Sequence, residues 1–211
     1  MMGAAGSVSG TQGYEDEAQA LISQYESLAF TDVHRHVLHL LPALPSLVLD
    51  IGAGTGRDAA ALAEMGHKVT AVEPTAALRL AAINLHPSPR IEWLDSALPD
   101  LPALTGREGR YALVLLTAVW MHLDAEQRCR AMPRVASFLR PGGVMIFSLR
   151  HGPVPPGRRM FEVGMEETIS LAMAAGCHCE LQQEGQGGGL QRPGVSWSRL
   201  AFSKNLAVSR A

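Results

Sequence analysis

The stretch LVLDIGAGTGRDAA, Leu47 to Ala60, decides the fold. An apolar run closing on Asp50-Ile51 reads as a buried strand, and Gly52, Gly54 and Gly56 then form a loop that opens into a helix. Glycine there accepts positive φ and lets a ligand approach the main chain closely. The helix start adds N–H groups with no partner inside the helix. Spacing separates the possible readings of such a loop. The dinucleotide fingerprint is G-x-G-x-x-G, whereas here the glycines run G-x-G-x-G behind Asp50. No lysine of a phosphate-cradling P-loop follows them.

Downstream, short apolar runs alternate with helical patterns. Strands are expected at Leu47–Ile51, Lys68–Glu73, Arg90–Leu94, Tyr111–Thr117 and Gly143–Leu149, with helices near Asp58–Met65, Thr75–Leu85 and Glu126–Leu139. Such alternation implies a parallel sheet covered by helices on both faces. After a helix at Met165–Ala175, two more strands, Cys177–Gln182 and Val195–Ser203, flank the turn-prone GQGGGLQRPG and should pair antiparallel. Upstream, helices are expected at Tyr14–Ala29 and from Thr31 or Asp32 to Leu41, before Pro42. The expected organisation is a mobile segment 1–13 and one domain, 14–211. Its parts are the N-terminal helices (14–45), a core (46–150) and a substrate-side loop, helix and hairpin (151–211).

Composition bounds what such a domain can do. The 211 residues are 47% hydrophobic and 18% charged with a net charge of −2, and no basic block marks a nucleic-acid surface. Three cysteines, Cys129, Cys177 and Cys179, make no disulfide framework and fit a reducing cytoplasm. The opening MMGAAGSVSGTQG lacks the features of a signal peptide, and no apolar run approaches the roughly 20 residues of a membrane span.

From Leu47 to Leu149 the sequence resembles the class I, Rossmann-like S-adenosylmethionine-dependent methyltransferases. The resemblance implies a single-domain, doubly wound, mostly parallel α/β sheet of seven strands with a C-terminal antiparallel hairpin, in the order 3-2-1-4-5-7-6. It also implies S-adenosylmethionine as cofactor. Asp50, Gly52, Gly54 and Gly56 would form the loop around its methionine part, and Glu73, beside Pro74, would bind the ribose hydroxyls. Asp95 and Ser96 would lie near the adenine. The fourth strand's exit, LLTAVWMHL with Thr117, would line the methyl-transfer site, and the Arg140–Gly143 turn before the fifth strand is also typical. Tyr25, with Tyr14 near it, would sit on N-terminal helices that fold over the cofactor as a lid.

The acceptor side is read from fewer residues. His122 and His151 follow the fourth and fifth strands, where this fold gathers ligands, and either could take a proton near neutral pH, with His151 favoured because its loop can move. Trp120 and Met121 would wall the pocket. Arg150, Arg158 and Arg159 lie in a long proline-rich loop and could clamp an anionic group. His34, His36 and His39 are spaced unsuitably for a metal, and His178 should face away from Cys177 and Cys179, so no metal site is expected. The leading expectation is methyl transfer to an O, N or other nucleophilic atom of a small molecule of anionic character, with no nucleic-acid or membrane partner. The alternative is a catalytically silent protein that binds S-adenosylmethionine and acts as a partner or regulator.

Overall fold

In a computed structural model of the chain, residues 10–186 and 193–206 are described. Seven strands form one sheet in the order β3-β2-β1-β4-β5-β7-β6. The strands are β1 (Leu47–Ile51), β2 (Lys68–Val72), β3 (Ile91–Leu94), β4 (Tyr111–Thr117), β5 (Leu139–His151), β6 (Cys177–Gln186) and β7 (Ser196–Lys204). The first five are mutually parallel, and β7 pairs antiparallel with both β5 and β6. The helices are α1 (Ala18–Glu26), α2 (Phe30–His34), α3 (Arg57–Glu64), α4 (Ala76–Leu85), α5 (Ala125–Phe138) and α6 (Met165–Ala174). This is the expected doubly wound sheet with its terminal hairpin.

The central strands carry apolar side chains in both directions because both sheet faces are covered. Leu113 and Leu115 of β4 join Val37, Val48, Ala59, Leu62 and Ile146 on one face. Val114 and Leu116 join Trp120, Met132, Phe138, Phe147 and Phe202 on the other. With roughly 1.5–3 kcal/mol per fully buried large apolar side chain, these two layers dominate the stability of the fold.

Differences from the sequence expectation collect outside that sheet. The helix expected at Tyr14–Ala29 starts only at Ala18, with Tyr14 in a turn, and the one expected to reach Leu41 stops at His34, followed by a short 3-10 turn at Leu38–Leu40. Phe30, His34 and Val37 all turn inward, with His34 bonded at 2.7 Å to Asp58 in the first turn of α3. The Arg140–Gly143 turn is absorbed into an irregular opening of β5, where pairing jumps from Tyr111↔Leu139 to Leu113↔Val144. Of the segment expected to be mobile, residues 1–9 lie outside the described residues. Residues 10–13 form turns, with Gly10 so close to His122 that an added Cβ would stand 3.1 Å from its Cβ. Within the glycine-rich stretch before β7, residues 187–192 also lie outside the described part.

Candidate active site

The carboxyl ends of β1, β2, β4 and β5 meet the start of β7 around a cavity of about 510 Å³, roofed by α1 and the turn before it. That volume lies within the range of small-molecule sites, roughly 300–1,000 Å³. The glycine loop forms its floor. Gly52 and Ala53 donate their N–H groups to Val72 O at 2.8 and 3.0 Å, which bends the chain sharply off β1. Gly52 has φ +72 and approaches Val119 so closely that a Cβ would stand 2.4 Å from its Cγ2. Gly54, at φ +57, has nothing within 4 Å of a Cβ and leaves its main chain open to the cavity. Gly56 is different: it caps α3 at φ +87, its missing Cβ leaves room for Trp93 at 2.9 Å, and it lies outside the cavity lining.

Three buried acids surround this loop. Glu73, just past β2, accepts Gly54 N–H on Oε2 and Thr75 N–H on Oε1, both at 2.8 Å. Burial raises its pKa, with these hydrogen bonds and Arg79 opposing the rise. Asp50 is 1% exposed, and its Oδ2 has no hydrogen-bond partner among the described residues. Burial, then the nearby Asp58 charge, pushes its pKa well above the usual carboxylate range. Asp58 goes the other way. Burial alone would raise it, but His34 at 2.7 Å and Arg57 hold it below that range. Thr117 Oγ donates a further hydrogen bond to it at 2.9 Å.

The opposite wall is built from the exits of β4 and β5. Ala118 takes a left-handed φ of +60, a strained conformation for a residue with a side chain, and donates its N–H to Ser148 Oγ at 2.8 Å. The chain then turns through Trp120–His122. His122 Nδ1 lies 2.9 Å from Arg159 O, which can only accept, so that nitrogen carries the proton. Nε2 is then the acceptor, facing Tyr14 Oη at 3.0 Å. Burial lowers the His122 pKa, and the charges of Arg158 and Arg150 lower it further against the pull of Arg159 O. Burial also raises the Tyr14 hydroxyl, which keeps it a donor.

Of the residues singled out in the sequence, Tyr25, Asp50, Gly52, Gly54, Glu73, Pro74, Ser96, Thr117, Met121, His122, Arg150 and Arg158 line this cavity. Several others do not. Trp120 is fully buried, its ring edge-on to Phe147 in the core. Asp95 is an exposed acid paired with Arg79 at 2.8 Å. His151 bonds Ser198 at 2.8 Å and lines a smaller neighbouring cavity of about 310 Å³, because strand alternation turns it to the face opposite Ser148.

The paired arginines form no open clamp. Arg158 lies 4.1 Å over the Tyr14 ring and pairs with Glu17 at 2.8 Å. Arg159 pairs with Asp124 at 2.9 Å, beside the start of α5. The expectation that Arg158 and Arg159 clamp an anionic group is corrected, since acids at the starts of α1 and α5 answer both residues. No group of three metal-ligating side chains occurs among the described residues. Residues that the sequence gave no reason to single out also line the cavity: Val33, Asp58, Ser148, Trp197 and Arg199. Only the closure of the sheet brings β7 and α2 to this place.

Comparison with known proteins agrees with this geometry. Residues 48–143 match the methyltransferase domain family model. An uncharacterised methyltransferase of Mycobacterium tuberculosis is 37% identical over 111 residues, covering 49% of this chain and 40% of that protein. Rat glycine N-methyltransferase is 25% identical over 172 residues, covering 70% and 55%. The fold matches 1,6-didemethyltoxoflavin-N1-methyltransferase of Burkholderia thailandensis, with TM-score 0.62, 24% identity and coverage of 92% and 91%. It also matches a TehB-like methyltransferase of Corynebacterium glutamicum, with TM-score 0.67, 18% identity and coverage of 90% and 99%. Residues 48–143 therefore carry the match to a methyltransferase domain, and the fold is that of the Rossmann-like S-adenosylmethionine-dependent methyltransferases. It spans 40% of the length of the mycobacterial relatives. No helix among the described residues is long and apolar enough to cross a membrane.

Proposed function

We propose that the protein transfers a methyl group from S-adenosylmethionine to a nucleophilic O or N atom of a small molecule. The observation that carries this is the pairing of Glu73 with the glycine loop at the floor of a cavity of ligand size. Each Glu73 oxygen accepts one backbone N–H and so retains capacity for another donor, which suits a ribose diol. The unpartnered Asp50 Oδ2 suits an ammonium group, and Gly54 leaves its main chain open for close approach. The residues present therefore fit the cofactor, which supplies a methyl carbon already activated by its sulfonium. Glu73, Asp50 and the Gly52–Gly54 loop would hold it, with Tyr25 over it and Ser96 at the adenine end.

The remaining work is alignment and, for an acceptor that arrives protonated, removal of a proton. His122 is the base of choice, being neutral, buried and holding its free lone pair on Nε2 toward the Tyr14 hydroxyl. The phenol can pass a proton to that nitrogen when its own oxygen takes one from the acceptor. A cavity of about 510 Å³ favours a small acceptor, and rat glycine N-methyltransferase, by its name, acts on one. Calorimetry with S-adenosylmethionine, its demethylated product and NAD tests the reading: the first two should bind and NAD should not. Binding of NAD alone would overturn it.

A further inference from the structure

Arg199 of β7 is buried, 6% exposed, and lines the cavity. Among the described residues its hydrogen bonds are two long ones, 3.4 Å each, to the backbone carbonyls of Ser198 and Val33. Among the described residues no carboxylate lies within ion-pairing distance of it. The acid whose charge it feels, Asp58, is engaged by His34, Arg57 and Thr117. Burial, with Arg35 adding to it, lowers the Arg199 pKa to about 10, a sign of a guanidinium held without adequate compensation. Buried charges are ordinarily paired, because an unpaired one costs several kcal/mol.

The position of the residue says what could complete it. Arg199 pairs with Ser148 across the β5–β7 ladder, and Trp197 pairs with Arg150. All four side chains line the cavity, on the part of its wall that the paired strands β5 and β7 build. Residues 197 and 199 share one face of β7, with the guanidinium carbon 5.6 Å from the Trp197 ring centroid. The wall therefore offers a planar fork beside an indole, a combination suited to a carboxylate carried on a flat or apolar body.

We propose that Arg199 is the residue that selects the methyl acceptor, by binding a carboxylate on it. This deepens the methyltransferase reading and rests on it. One guanidinium with nearby Asp58 matches a single negative charge, so a carboxylate is preferred to inorganic phosphate. The carboxylate anchors the acceptor against β7 while its nucleophilic atom points toward β4 and Tyr14.

The test uses the whole chain, with and without saturating S-adenosylhomocysteine. Benzoate, indole-3-acetate and N-acetylglycinate are titrated calorimetrically against their carboxamides and against inorganic phosphate at constant ionic strength. At least one carboxylate should bind, at least about 10-fold more tightly than its carboxamide and than phosphate. Arg199→Gln should weaken that binding about 10- to 100-fold while S-adenosylhomocysteine affinity is unchanged, and Arg199→Lys should restore part of it.

Wild-type protein that treats carboxylates and carboxamides alike, or prefers phosphate, overturns the proposal whether or not the variants fold. Retention of the preference in Arg199→Gln also overturns it. Failure to bind S-adenosylhomocysteine, by contrast, would strike the methyltransferase reading, and the carboxylate titration without it still reports on Arg199.

Discussion

Glu73 and His122 show how differently two polar side chains use the same cavity. Glu73 is fixed through the main chain of the residues around it, so its removal takes away an acceptor without a packed neighbour to fill the gap. Glu73→Ala should weaken binding of S-adenosylmethionine by about 1.5–3 kcal/mol, the scale of charge-assisted hydrogen bonds lost together, as read by calorimetry. His122 is fixed by Arg159 O on one nitrogen and Tyr14 on the other. His122→Asn should lower turnover about 10²–10⁴-fold and leave cofactor affinity nearly intact. The pH profile carries its own sign. Burial lowers the His122 pKa, so the neutral base persists below the ordinary histidine value of about 6.5. Wild-type turnover should therefore hold as pH falls through that value and drop only at lower pH. A profile breaking above about 6.5 would assign the titration to another group.

At the scale of elements, the glycine loop and the β4 exit form one joint. Gly52 at φ +72 and Ala118 at φ +60 both hold left-handed backbone, and Val119 fills the space beside Gly52. Gly52→Ala would place a methyl group 2.4 Å from Val119 Cγ2, at a φ that L residues resist. The combined strain and displacement should cost about 1–3 kcal/mol in denaturant unfolding. Cofactor affinity should fall more steeply than stability, since Val119 would be pushed into the cavity. The N-terminal elements form a second joint. Gly10 lies against His122, Tyr14 reaches its Nε2, and Arg158 lies over the Tyr14 ring while pairing with Glu17. The roof of the cavity and His122 are thus held by the same contacts.

For the whole molecule, the site is shared among β1, β2, β4, β5, β7 and the N-terminal elements, so ligand binding should brace most of the fold at once. A ligand at about 100 times its Kd adds about 2.7 kcal/mol of stability. In a chain of 211 residues that corresponds to a rise in Tm of roughly 5–10 °C. S-adenosylhomocysteine should produce such a rise in a thermal melt, while NAD at equal concentration should leave Tm in place. A shift with NAD of equal size would contradict the reading of the glycine spacing.

Much of this was legible in the sequence because it is local. Short apolar runs, the G-x-G-x-G spacing behind Asp50 and the acid following the second strand are set by backbone conformation and by neighbours only a few residues away. The seven strands, the glycine loop and the position of Glu73 were read from them. The acceptor side was not local. Whether an arginine is free or paired depends on which distant acids the fold delivers, so Arg158 and Arg159, unopposed in sequence, meet Glu17 and Asp124. Face selection on β5, a matter of strand register, turned His151 to the smaller cavity and left His122 in the larger one. Arg199 carries no motif at all. Only the antiparallel pairing of β7 with β5 sets it beside Ser148, where burial without a carboxylate partner among the described residues makes it informative.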